Sequence, residues 1–163
     1  MSEKRIREEI REYGDPVLKS EHFQKALKQT HHKKTSVGEH TLRVTASSLR
    51  LSHALEKIGI RSDQKSIVQG ALCHDLGILG RDEKYKNNRE CCMQHPKDSV
   101  DVAKELYPEM DQKTENIIRH HMWPLGGKRP RSREEVIVSA ADKYASVKDV
   151  VYGTLHHRKE KEK

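Results

Sequence analysis

Apolar residues recur along the chain at spacings of three and four, in short runs separated by polar stretches or by glycine and proline. That spacing is the mark of amphipathic helices. Residues 2–13 are charged and lightly amphipathic, and Gly14-Asp15-Pro16 predicts their end. A second helix is predicted from about Ser20 to His31, with Phe23, Ala26 and Leu27 on one face. Thr35 or Ser36 then reads as an N-cap, and Glu39 three residues after Ser36 completes a capping box. The helix it opens sets Val37, Val44, Leu51, Leu55 and Ile58 at helical spacing and ends at Gly59. Ser62 or Asp63 caps the next, in which Ile67, Val68, Ala71 and Leu72 lead into the segment CHDLG.

Residues 80–94 are polar and aperiodic, which predicts a surface loop. Pro96 suits the first turn of a helix running to Tyr107, and Asp111 caps another through about His121. The segment WPLGGKRPRS is irregular. Ser132 with Glu135 makes a second capping box, opening a helix with Val136, Ile137, Ala140, Ala141 and Tyr144 inward. No alternating strand pattern and no internal repeat is found. The expectation is one all-α domain: an N-terminal helical extension over 1–19, a principal unit over 20–152 and a flexible charged tail over 153–163.

Composition narrows the picture. The chain has 163 residues, a third of them apolar and 35% charged, enough for one modest core. No apolar run approaches the roughly 18 residues of a membrane span, and the charged start MSEKRIREEI has no secretory core. Cys73, Cys91 and Cys92 form no disulfide framework, so a reducing cytoplasm is the expected setting. The net charge of +7 permits phosphate or nucleic-acid partners, but no aromatic residues interleave the basic ones, so nucleic acid is the weaker use. The unusual feature is eleven histidines, against seven aromatic residues.

Several histidines fall where a surface residue would not. His74-Asp75 ends the apolar run ALC, so the doublet points into the protein and needs a partner. His40 shares a face with Val37 and Val44, and His121 follows Ile117 by one turn with His120 beside it. His95 precedes Pro96, and Asp142 sits in the small-residue run VSAADKYAS. Imidazole nitrogens with carboxylate oxygens suit iron, manganese or zinc, with nickel and cobalt also admitted by the ligand types. His22, His53, His156 and His157 are expected at the surface, His31 and His32 at a helix end or the surface, and Cys73 in the core.

The order His40, His74-Asp75, His95, His120-His121, Asp142 resembles the HD-domain metal-dependent phosphohydrolase superfamily, whose founding pattern is H…HD…D on an all-helical fold. The surrounding text is similar too: SVGEHTLRVTASSLRL, GALCHDLG and SAADKYAS. More narrowly, HMWPL…RPRSREEVIVSAADKYAS resembles small stand-alone bacterial HD proteins. The resemblance covers about residues 20–150 and implies an HD-domain helical bundle. It implies one metal on His40, His74, Asp75 and Asp142 and a second on His95 and His121, with Asp75 bridging. His120 stays open, since both histidines of the pair ligate in the cyclic-dinucleotide phosphodiesterase branch and only the second in the small stand-alone group. The GYP motif of that branch is absent, and Ile78 stands where it carries a lysine.

The implied activity is cleavage of a phosphate monoester or diester, a nucleotide foremost, by a metal-activated water, with Asp75 and His74 at the catalytic centre. Charge growing on phosphoryl oxygens calls for cations, and Arg43, Lys143 and Arg81 are the candidates, with Lys128, Arg129 and Arg131 in the following loop. Trp123 either stacks on a base or covers the pocket. The same ligands fit an iron-dependent HD-fold oxygenase, and a non-catalytic metal- or nucleotide-binding module is the third reading. A homodimer is compatible with all three.

Overall fold

The computed structural model describes residues 2–32 and 35–161, the side chains of 31–32 and 152–161 excepted. Eight helices run among these residues: α1 Glu3–Leu18, α2 Glu21–Lys28, α3 Val37–Glu56, α4 Gln64–Cys73, α5 Arg81–Lys84, α6 Asn88–Leu106, α7 Gln112–His120 and α8 Arg133–Lys161. A 3-10 turn, Leu76–Ile78, follows the HD doublet. The all-α expectation holds. The sequence pattern gave no strand, and the structure adds only a minimal antiparallel ladder, β1 Thr30–His32 with β2 Thr35–Ser36.

The central element is α4. Every residue from Ser66 to Cys73 is buried, and the helix packs against α1, α3, α7 and α8. Asp63 starts it by accepting the Ser66 amide at 3.2 Å, as its N-cap position predicts. A helix buried all round carries its C-terminal end into the middle of the protein, and that end is His74-Asp75. The helices around it start where the sequence places their caps. Ser36 and Glu39 exchange both bonds of a capping box, and Ser132 and Glu135 do the same before α8. Asp111 accepts from the Thr114 amide at 2.7 Å.

Three expectations are corrected. Gly14-Asp15-Pro16 does not stop α1, which runs to Leu18. Gly14 is buried, and a Cβ there would stand 2.2 Å from Cδ1 of Leu72. The glycine therefore lets α1 lie close on α4, and burial of Ile6, Ile10 and Val17, about 1.5–3 kcal/mol each, outweighs the hydrogen bond that Pro16 cannot make.

Residues 80–94 are not a loop through their length. Asn87 caps α6 by accepting the Glu90 amide, while Glu90 accepts the Lys86 amide, so His95-Pro96 lies inside this helix rather than at its start. The third correction is the phase of α8: Ile137, Val138, Ala141 and Ala145 face the core, whereas Val136, Ala140 and Tyr144 face outward. Leu51 of α3 and Ile58, just past its end, are likewise exposed.

Candidate metal centre

Six of the seven ligand-type residues meet. His40 comes from α3, His74 and Asp75 from the end of α4, His95 from α6, His121 from the end of α7 and Asp142 from α8, all of them buried. Two sets of donor atoms lie close enough together to hold an ion: His40, His74 and Asp142, and His74, Asp75 and His121. Asp75 spans both. Its Oδ1 stands 3.2 Å from His95 Nε2 and 3.5 Å from His121 Nε2, and its Oδ2 stands 3.4 Å from His74 Nε2 and 3.9 Å from His40 Nε2. Asp142 Oδ1 is 3.1 Å from His40 Nε2.

The imidazoles are oriented by what lies behind them. His74 Nδ1 is 2.7 Å from the Ala71 carbonyl, His95 Nδ1 2.7 Å from that of Cys91 and His121 Nδ1 2.7 Å from that of Ile118. A carbonyl only accepts, so each Nδ1 carries a proton and Nε2 is the nitrogen turned toward the centre. His40 Nδ1 meets Asp149 at 3.0 Å in the same manner. Asp149 was not foreseen, yet it lies seven residues after Asp142, two turns along the same face, and that spacing was the available signal.

Such a set fits a cation. Nε2 of His95 and Nε2 of His121 are 3.0 Å apart, so at most one proton fits between them, and Nε2 of His74 is buried with no hydrogen-bond partner among the described residues. Two ligands held at about 2.1 Å by one ion lie roughly 3–3.5 Å from each other, the range seen around Asp75 and Asp142. Burial works against charge on His74 and His95, but the neighbouring carboxylates outweigh it and lift them to about 9 and about 10. His40 rises for the same reason, whereas burial wins at His121 and lowers it. Burial also works against ionised carboxylates, yet the surrounding histidines hold Asp142 at about 2 and Asp75 well below the usual carboxylate range.

His120 is not in the cluster. Its Nδ1 is 2.7 Å from Oε2 of Glu135, the capping-box residue of α8, so it ties the end of α7 to the start of α8. His53, expected at the surface, is buried between Glu9 and Glu56. His22 is partly exposed beside Glu105. The side chains of His31, His32, His156 and His157 lie outside the described residues.

The cluster floors a cavity of about 550 Å³ reached by Asp75, His95 and Asp142. Arg81 and Lys143 line it. Lys143, however, spends its ammonium on the His121 carbonyl (2.9 Å) and on Ser139 Oγ (2.8 Å), so it also clamps α7 to α8. Arg81 donates to Asn88 Oδ1 at 2.6 Å. Arg43 is not among the lining residues; it pairs with Asp149 at 2.8 Å, behind His40. Lys128, Arg129 and Arg131 are exposed and stand apart from the cavity, as does Trp123.

An all-helical bundle whose central helix ends in a buried His-Asp doublet, completed by histidines and a second aspartate from four other helices, defines a class of metal-binding helical domains. The HD domain family profile matches residues 37–147, well over half of the chain and inclusive of all six clustered residues. The chain belongs to the HD domain family, whose members are mostly metal-dependent phosphohydrolases that bind divalent metals. Comparison with curated proteins and with solved structures gave no match. No described helix is long and apolar enough to cross a membrane.

Proposed function

We propose that this protein is a metal-dependent phosphohydrolase that cleaves a small phosphate ester. The observation that carries the reading is that the cluster of His40, His74, Asp75, His95, His121 and Asp142 opens to a cavity through Asp75, His95 and Asp142. A structural metal is closed off by its ligands, whereas Asp75, His95 and Asp142 of this set face a space of substrate size. His40, His74 and Asp142 would hold one divalent ion, His95 and His121 a second, with Asp75 shared. When bound, such ions polarise a phosphoryl group and make a water acidic enough to attack near neutral pH.

The protein's own groups do the rest. Asp75 and His74, on a helix end fixed by burial on every side, set the reacting position to within the tolerance of the core. The Nδ1 contacts behind all four imidazoles hold Nε2 toward the centre as the nitrogen that would meet an ion. Arg81, at the cavity wall, is placed to meet phosphoryl oxygens that gain charge. Lys143, committed to His121 and Ser139, keeps the two helices of the site in register.

Elemental analysis of purified protein tests the centre first, with one to two metal equivalents expected. A metal-free preparation that takes up no ion on reconstitution refutes it. Turnover of a phosphate ester panel with manganese, abolished in Asp75→Ala, is the expected activity. Oxygen consumption with iron and no phosphate released identifies the oxygenase instead, and tight metal binding with neither activity leaves a binding module.

A further inference from the structure

The wall above the ionic floor is unlike its base. Ile78, Cys91, Cys92, Met122, Leu125 and Val147 line it. Ile78 and Cys91 are buried beside the cluster, whereas Leu125 and Val147 are 73% and 64% exposed and stand at the mouth. Leu125 is held there by its loop, which lies directly on α6: a Cβ on Gly126 would meet the Cys92 carbonyl at 3.2 Å and Sδ of Met93 at 3.3 Å. Among the described lining residues Arg81 and Lys143 are the only lysine or arginine, and Lys143 is already bonded to His121 and Ser139. Of the other polar groups, Asn88 Oδ1 is taken by Arg81, and Ser146 leans 3.4 Å from Asp142.

We infer that the site takes a phosphomonoester whose organic part is apolar, an aryl or alkyl phosphate, in preference to a nucleoside polyphosphate or a sugar phosphate. The inference rests on the phosphohydrolase reading. A single phosphate matches Arg81, which among the described lining residues is the arginine or lysine not bound to backbone. Each further phosphate brings charge that this wall does not neutralise. Sugar hydroxyls set against Ile78, Met122 and Leu125 would lose their water to side chains that return no hydrogen bond, which penalises a polar leaving group at each hydroxyl buried there. An apolar group gains from the same surface. A cavity of about 550 Å³ accommodates a fused-ring ester with its phosphate on the cluster.

The experiment compares phenyl and 1-naphthyl phosphate with AMP, ATP and glucose 6-phosphate on manganese-loaded protein. Alongside it, calorimetric binding of 1-naphthylphosphonate and methylphosphonate, which are not cleaved, reads the pocket without turnover. The naphthyl ester is expected to exceed the phenyl ester in kcat/KM by about tenfold, the factor for roughly 55 Å² of extra apolar burial at about 25 cal/mol per Å². Both should exceed the three polar compounds. In Leu125→Ser/Val147→Ser, changed at exposed positions, the ratio should fall toward one with the melting temperature unchanged. Tighter binding of naphthylphosphonate with no ester cleaved upholds the apolar site and refutes the hydrolase. Preferred turnover of ATP, AMP or glucose 6-phosphate refutes the apolar site and leaves the hydrolase standing. Equal affinity for the two phosphonates also overturns the inference.

Discussion

Replacing Gly77 by alanine should loosen the protein and its metal centre together. Gly77 sits in the turn just after Asp75, against the α6 segment that carries His95. A Cβ there would lie 2.3 Å from the Ser99 backbone nitrogen, 2.6 Å from the Asp98 carbonyl carbon and 2.7 Å from the His95 oxygen. These are backbone atoms, so no rotamer change relieves the clash. To reach ordinary contact the turn and α6 must separate by about 1 Å. Overpacking of this kind costs about 1–3 kcal/mol, and the Gly77 amide bond to Ser99 Oγ, 2.9 Å long, adds about 1 kcal/mol when broken.

The sum, about 2–4 kcal/mol, corresponds to a melting temperature lower by about 5–15 °C for a chain of this length. The same displacement carries Asp75 Oδ1 from 3.2 Å to about 4 Å from His95 Nε2, beyond the separation of two ligands on one ion. Thermal melts and metal content after reconstitution measure the two effects. Ser99→Ala, which removes only the hydrogen bond, should cost about 1–2 kcal/mol and keep its metal. A Gly77→Ala protein that melts within a degree of the parent and binds the same metal refutes the steric reasoning.

Two further outcomes follow from groups outside the donor set. Asp149→Ala should weaken metal binding by about 10–100-fold in a chelator competition, since His40 loses the acceptor that fixes its ring, while Asp149→Asn, which still accepts, should recover much of it; equal affinity in all three would show that His40 needs no such support. Burial alone would raise Asp111, but the Thr114 amide and hydroxyl and the Ser66 hydroxyl outweigh it and hold the carboxyl below its ordinary 3.8. A carboxylate with a lowered folded pKa stabilises above its unfolded value, and that contribution is lost as pH falls through the folded one. The gap in melting temperature between the parent and Asp111→Asn, which keeps the cap, should be constant above about pH 5 and close below about pH 4. A gap unchanged to about pH 3 contradicts it.

What could be read from the sequence was local or chemically expensive. The caps at Ser36, Asp63, Asp111 and Ser132 are short-range bonds between residues three apart, and all four form. Histidines and aspartates in apolar runs are costly unless they meet a partner, which is why six of them found one another. The errors lie where two signals competed. Pro96 reads as a helix start, but the Asn87–Glu90 cap lies further upstream and wins. Helix α8 carries apolar residues on two faces, and periodicity has no means of telling which one meets α4 and α3. His53 looked like a surface residue because its partner Glu9 is 44 positions away.

The two capping boxes have a consequence for chain length. Ser36 fixes the phase of α3 four residues before His40, and Ser132 fixes that of α8 ten residues before Asp142. Each residue added between cap and ligand turns the ligand by about 100° and advances it by about 1.5 Å. A single insertion inside either interval therefore swings a donor out of the centre even if every original side chain is kept. One placed before Ser132, in the exposed segment 127–129, leaves the box to restart the helix in phase. Spacing along these two helices is thus as much a part of the site as the identity of its histidines and aspartates, and an insertion scan should see it as sharply bounded silent and disruptive windows.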